Sequence, residues 1–438
     1  LIRFNRLPKG NRFQVLSAIN HIIYCRLNYL KLQGLKNMNI RGIKSAMGIY
    51  LNRLCFTREV ATKIPVVNRN KFPNTISSLK MDGWQIHNYG TTEELQFSTG
   101  LRMPIISNST DCLVRINATT VNPIDVAMLG GYGSKTLNLL RYQYSKTIEF
   151  PLILGREFCG EVVQCGMGVD NKISVGDRVY GVVPLHINGS HAQYVVVPQY
   201  CLSIAPASLS DEQAASVLYA GLTAWSGLYV TGRLGSVCGA VSCSGGGENS
   251  RVLVMGGSGS VGSLAIQLLK SQKVTVYATC SDSAIELVKT LGADYVFDYK
   301  NSAEFEALRN YAPFDIVLDC TGQGAELAKN LNFQFGQYIT FSSPLLKNVD
   351  KFGISFGMLK NITHFIQSNM KSLSGKGFFL KYGFFMPAPQ GIELLTRLVK
   401  KNQLSPIIDS SFTFAELPLA FEKVNRGHLR GKVVITMS

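Results

Sequence analysis

Hydrophobic and polar positions divide the 438-residue chain into stretches of different period. From about Met81, short apolar and β-branched runs alternate with glycine turns: residues 112–122, 160–165, 178–183 and 192–197 read as strands, with Val175, Gly176 and Asp177 in one intervening turn. These runs predict an all-β module. At Leu209 the period lengthens, because SDEQAASVLYAGLTAWSGLYV opens on an acidic turn and continues with apolar residues at helical spacing. Beyond it, strand runs at 252–255, 274–278, 295–297, 316–318 and 338–341 alternate with helical stretches, as in βαβ units around a parallel sheet. From Pro387 the pattern predicts a helix over 392–400 and a closing strand over 432–436, while the glycine- and serine-rich stretch 235–249 reads as a surface insertion. No repeat of solenoid or propeller period occurs.

One stretch carries chemistry in its pattern. RVLVMGGSGSVGSLAIQLLK, residues 251–270, runs from a buried strand through a glycine turn into an amphipathic helix. Gly257, Gly259 and Gly262 spell G-x-G-x-x-G; such glycines serve a tight turn, close backbone approach to a pyrophosphate, and close helix-on-strand packing. The helix start adds free N–H groups and a positive dipole end. Ser258, Gly259, Ser260, Val261 and Gly262 are therefore expected at the phosphates of a dinucleotide.

Charge changes the picture of the N-terminus. The formal net charge is +16, but residues 1–71 carry fourteen Lys or Arg against the single acid Glu59; that is +13, and leaves +3 for the rest. The folded part is nearly neutral, so the basic character belongs to a tail of mitochondrial-presequence composition. A disordered basic arm, or upstream sequence that is not translated, accounts for the same residues, since the first methionines are Met38 and Met47. Nucleic-acid binding by the tail is the weaker reading of that charge, and no apolar run is long enough to predict a spanning helix. Ten cysteines, none in a C-x-x-C pair, indicate a reducing compartment and neither a disulfide framework nor a zinc lobe.

Cofactor choice turns on the end of the second strand of the βαβ region, where NAD sites place an acid to bind the ribose hydroxyl. Here Ala278, Thr279, Cys280 and Ser281 follow one another with no acid, and Asp282 reads as the polar start of the next helix. The third strand ends in Asp298, Tyr299 and Lys300. Ser281, Tyr299 and Lys300 together suit a 2′-phosphate and so favour NADPH; the alternative is that Tyr299 and Lys300 only cap a strand.

The ordered motifs N-P-I-D at 122–125, G-R-E-F-C-G-E-V-V at 155–163, V-G-D-R-V at 175–179, the glycine turn, L-G-A-D at 291–294 and L-D-C-T-G at 318–322 resemble the medium-chain dehydrogenase/reductase superfamily. Within it, the chain is similar to the zinc-free quinone oxidoreductases, and G-G-Y-G at 130–133, F-F-M at 384–386 and R-G-H-L-R-G-K at 426–432 resemble a mitochondrial, reticulon-interacting branch. The resemblance implies an α/β chain: a GroES-like β-rich catalytic domain over 81–208, completed by 387–438, and a Rossmann domain with a doubly wound parallel sheet over 209–386, after an extension over 1–80. It implies further cofactor contacts from Thr321, Gly322, Gly383, Phe385 and Met386, with His428, Leu429 and Arg430 closing over the cofactor. For Phe385 the plain alternative is ordinary core.

Zinc-dependent relatives place a cysteine near the present Asn122 and a histidine at the present Arg156. Arginine is no zinc ligand, and His21, His87, His186, His191, His364 and His428 are isolated in sequence, so no metal site is expected. Hydride delivery without a metal suits a quinone or another conjugated carbonyl or alkene. The resemblance puts Asn122 near nicotinamide and substrate and Tyr132 on the loop lining the cleft; Asn122 reads equally well as an Asx turn before Pro123. A tyrosine that some quinone reductases use is replaced by Ala127, which leaves the proton donor open.

The resulting expectation is a mitochondrial-matrix NADPH oxidoreductase linked by resemblance to ubiquinone metabolism and respiration, with reticulons as partners and the homodimer left open. The rival is an NADPH-binding scaffold without turnover. Ser281→Asp is expected to weaken NADPH far more than NADH in a binding titration; equal losses for the two cofactors contradict the reading of the adenosine pocket.

Overall fold

Apolar strands pair into two large sheets and one separate hairpin in the computed structural model, which describes residues 80–145, 149–235, 247–375 and 378–437. The basic tail at 1–71 and most of the stretch 235–249 therefore lie outside the described residues. A short antiparallel hairpin, β1 (Lys80–Gln85) and β2 (Gln96–Arg102), comes first. The long strand β3 (Asp111–Val121) leads into helices α1 (Pro123–Leu129) and α2 (Ser134–Ser145), followed by β4 (Glu157–Cys165), β5 (Arg178–Val182), β6 (Tyr194–Pro198) and β7 (Leu202–Ile204). β3 is buried along most of its length because it pairs antiparallel with β4 and β6.

The chain then enters α3 (Asp211–Ala214), whose N-cap Ser210 accepts from the Gln213 N–H, and α4 (Leu218–Trp225). Next come β8 (Arg251–Met255), α5 (Ser260–Lys270), β9 (Thr275–Cys280), α6 (Ile285–Thr290), β10 (Tyr295–Asp298), α7 (Ser302–Ala307), β11 (Phe314–Asp319), α8 (Ala325–Asn330), β12 (Phe335–Thr340), α9 (Leu345–Gly375) and β13 (Phe379–Tyr382). The six strands lie in the order β10-β9-β8-β11-β12-β13, with every neighbouring pair parallel. Counted within the sheet this is 3-2-1-4-5-6, the doubly wound Rossmann order, whose switch point falls between β8 and β11.

After α10 (Pro389–Lys400) the chain adds β14 (Ile408–Thr413), α11 (Leu417–Arg426) and β15 (Lys432–Thr436) to the first sheet, ordered β14-β15-β3-β4-β5-β7 with β6 also on β3. The last strand thus lies beside β3, antiparallel to it. One core joins the two sheets: Ala118 and Tyr180 belong to the same buried cluster as Val254, Leu264 and Leu395. Helices α4 and α10 cross closely there, since a Cβ on Gly221 would lie 2.8 Å from Leu395 and one on Gly391 2.6 Å from Leu222.

The sequence pattern leaves β13 and α9 unpredicted. β13 is only four residues long inside the run FFLKYGFF, too short to display a period, and α9 is broken at Gly353 (φ 78°, ψ 170°), which interrupts its spacing.

Candidate active site and nucleotide cleft

Five of the six strands of the parallel sheet, all but β12, deliver a candidate residue at the carboxyl end. β8 ends in the glycine turn; Gly256 takes the left-handed conformation (φ 81°), and its N–H and that of Gly257 donate to the Thr279 carbonyl at 3.1 and 2.8 Å. The tight turn therefore belongs to Gly256, a correction to its assignment to Gly257. Gly259 is the N-cap of α5, with nothing closer than 3.5 Å to a Cβ placed there. Gly262 is the close-packing glycine, because a Cβ on it would sit 2.2 Å from the Gly256 carbonyl oxygen. Ser258, Ser260 and Val261 are half-buried at the opening of the helix. A cradle of this shape, with the N-terminus of a helix of eleven residues facing outward, fits a pyrophosphate.

At the adenosine end, the Tyr299 N–H donates to the Cys280 carbonyl (3.1 Å), which sets Tyr299 and Lys300 beside Ser281. The Lys300 ammonium lies 5.9 Å from the Tyr299 ring centroid, and Ser281 Oγ is 3.4 Å from Ser283 Oγ. Arg430 reaches from the C-terminal segment and donates to Ser283 Oγ. One cation thus lies against Tyr299 and another binds the hydroxyl two residues after Ser281. Asp298 does not compete for a ribose, since its carboxylate accepts from the Lys300 N–H at 2.9 Å. Arg430 joins this group at the adenosine end, while Leu429 packs against the core of the first sheet and His428 is exposed at φ 54°.

Across the switch point, buried Asp319 organises the loop after β11. Its carboxylate accepts from the Thr321 N–H (2.9 Å), Thr321 Oγ1 (2.6 Å), the Gly324 N–H (2.8 Å) and Thr340 Oγ1 (2.8 Å). Gly322 follows at φ 79°, with open space where a side chain would be. Gly383 continues β13 and donates to the Thr340 carbonyl at 2.9 Å; a Cβ there would meet Phe341 at 2.7 Å. Phe385 and Met386 pack against the shared core, and the Phe385 ring stacks on Tyr219 with centroids 4.2 Å apart.

Tyr132 lies half-buried in the loop between α1 and α2. Asp350 of α9 ties that loop down by accepting from the Gly133 N–H (2.6 Å) and the Lys135 N–H (3.2 Å). Burial first, and Asp350 second, push the Tyr132 phenol upward in pKa. Burial likewise raises the Tyr219 phenol, which also feels Tyr132. Both therefore stay neutral hydroxyls at physiological pH.

The interior beneath this cleft is charged. Glu157 is buried on β4; its Oε1 accepts from Thr120 Oγ1 (2.7 Å), Asn122 Nδ2 (3.2 Å) and Lys432 Nζ, and its Oε2 accepts from the Tyr219 N–H (2.9 Å). Asn122 is 2% exposed; its Oδ1 accepts from Lys432 at 2.5 Å, and its N–H donates to Asp125 at 2.8 Å as α1 begins. Its carboxamide therefore faces Glu157 and Lys432, inside the fold. Arg156 is fully buried; it donates to the carbonyls of Pro184, Ile187 and Ile153 and lies 3.6 Å from Asp125. Burial lowers the Arg156 pKa to about 10, so it stays a cation at neutral pH. Among the described residues no group of three His, Cys, Asp or Glu side chains is placed to hold a metal ion.

Sequence reasoning missed Lys432, Tyr219 and Asp319. Lys432 had one signal, a cation opening a strand whose next residues are all apolar. Tyr219 had none beyond helical spacing.

This fold and cleft define a medium-chain dehydrogenase/reductase. Family models for an alcohol dehydrogenase GroES-like domain and a zinc-binding dehydrogenase match residues 108–207 and 291–435. "NAD(P)H oxidoreductase RTN4IP1, mitochondrial" of Drosophila melanogaster is 60% identical over 366 residues, 83% of this chain and 88% of that protein. The Homo sapiens protein of the same name is 38% identical over 390 residues, covering 88% and 96%. The chain therefore belongs to the RTN4IP1 family of NAD(P)H oxidoreductases. In solved structures, the quinone oxidoreductase from Coxiella burnetii shares the fold, with a TM-score of 0.63 at 24% identity, over 82% of this chain and 100% of that one.

Lys432→Met is expected to destabilise the protein by about 3–5 kcal/mol in denaturant titration, because Glu157 then stays buried without its cation. Adding Glu157→Gln should recover much of the loss. A single variant as stable as the parent contradicts the pairing.

Proposed function

We propose that this oxidoreductase uses NADPH, without zinc, to reduce a quinone or another conjugated carbonyl or alkene. The observation that carries the cofactor preference is the presence of Lys300 against Tyr299 and of Arg430 on Ser283 at the end of β9, where the strand ends in Ser281 and not in the acid of an NAD site. When bound, NADPH supplies the hydride. The chain holds its pyrophosphate with Ser258, Gly259, Ser260, Val261 and Gly262, lines its far side with Thr321, Gly322, Gly383, Phe385 and Met386, and brings Arg430 of the C-terminal segment to the adenosine rim.

Metal independence rests on side-chain chemistry. Asn122 and Arg156 stand where zinc-dependent relatives carry ligands, and both are committed to internal partners. A metal-free site provides no Lewis acid for a simple ketone, so the acceptor must itself spread the charge that arrives. Tyr132 or Tyr219 then supplies the proton, and Asn122 acts by holding Glu157 and Lys432 in place. The division at 208/209 and 386/387 puts the acceptor between the β-rich part and the Rossmann part.

The tail composition and the relatives' printed names favour the mitochondrion, with the matrix as the compartment reached by a presequence. A relative from Caenorhabditis elegans is named "Reticulon-4-interacting protein 1, mitochondrial", which makes reticulons candidate partners; a role in ubiquinone metabolism and a homodimer complete the proposal.

NADPH oxidation should proceed with short-chain ubiquinone analogues and be at least about tenfold slower with simple aldehydes, a barrier difference of about 1.4 kcal/mol. Tight NADPH binding with no oxidation across the quinone panel would favour the scaffold reading instead.

A further inference from the structure

Helix α9 is amphipathic in the wrong sense for a core helix. Its two limbs meet at Gly353 and cross at Gly357, where a Cβ would lie 2.6 Å from the Val349 Cα. The face turned to the protein carries asparagines. Asn361 accepts from Asn348 Nδ2 (2.7 Å) and donates to the Leu345 carbonyl (3.0 Å), while Asn369 accepts from the Leu380 N–H (3.0 Å) and donates to the Leu380 carbonyl (3.2 Å). The face turned to solvent carries Phe356, Leu359, Ile362 and Ile366, exposed by 73, 58, 43 and 43%. At about 100° per residue these four fall within an arc of about 120°.

Lysines accompany this stripe along the helix. Lys347 and Lys351 on the first limb and Lys360 on the second are exposed, and Lys360 Nζ sits 4.0 Å from the ring centroid of exposed Phe352. The single acid of the helix, Asp350, is committed to the Gly133 and Lys135 N–H groups. An exposed apolar stripe on a helix with three exposed lysines against one carboxylate, hence a net positive charge, is the pattern of a helix lying in a lipid interface. No described helix is long and apolar enough to cross a membrane.

We propose that the outward face of α9 docks on an anionic lipid surface, with Phe356, Leu359, Ile362 and Ile366 at the acyl boundary and the lysines at the phosphates. A second copy is a poorer occupant. A two-fold contact would set three lysines against the same three lysines with only one helix carboxylate, Asp350, from each copy to offset them, and the peptide groups of Leu380 on the edge strand β13 are already taken by Asn369. Because Asp350 fastens the Tyr132 loop to α9, docking holds that loop at the membrane, where apolar acceptors partition. The proposal does not depend on which acceptor is reduced.

The test uses the full chain carrying Phe356→Trp, mixed with vesicles of phosphatidylcholine and phosphatidylglycerol with brominated acyl chains. The indole at this position should shift its emission to the blue and be quenched. Adding Leu359→Ser and Ile366→Ser should weaken the effect by about tenfold or more, with NADPH oxidation in vesicle-free buffer unchanged. Vesicles of phosphatidylcholine alone should give a far smaller response. Vesicle binding through the basic tail with the indole unquenched overturns the proposal. A blue shift that grows with protein concentration and needs no vesicles also overturns it, in favour of self-association.

Discussion

The carboxylate of Glu157 is the constraint on which the cleft depends. Through two oxygens it gathers the end of β3 at Thr120, the start of α1 at Asn122, the first residue of β15 at Lys432 and the start of α4 at Tyr219. Those segments come from distant parts of the chain, and their meeting joins the first sheet to the helix that leads into the second. A buried carboxylate survives only where charge and hydrogen bonds replace water, and here Lys432 supplies the charge. A second internal ion pair, Arg156 with Asp125, lies in the same fully buried layer.

Around that anchor the two halves of the site have different physical characters. The nucleotide half is backbone: Gly256 and Gly262 shape the turn, and Asp319 holds the loop of Thr321 and Gly322 through four hydrogen bonds. Beside it lies an aromatic part, with Tyr219 stacked on Phe385 and Tyr132 on a loop fastened by Asp350. The arrangement suits a cofactor that carries the chemistry and a protein that positions it.

The parallel sheet was legible because its strands are apolar runs separated by helical spacing, and the glycine turn because backbone geometry demands glycine there. Ser281, Tyr299 and Lys300 could be placed because each follows a strand directly. Lys432 and Tyr219 could not, since their importance lies in contacts 275 and 62 residues away along the chain. Asn122 shows the same limit: its motif announced a site, while only the fold shows its amide turned inward to Glu157 and Lys432. The outward face of α9 escaped notice because Gly353 and Gly357 break its spacing and its polar residues are the ones that pack.

The central claim is that internal ion pairs stand in for a metal in an NADPH-dependent reductase. Elemental analysis of the purified protein, paired with NADPH-to-quinone turnover before and after exhaustive dialysis against a strong chelator, tests it most directly. The account predicts zinc far below one atom per chain and undiminished turnover. Activity lost to the chelator and restored by zinc would contradict it.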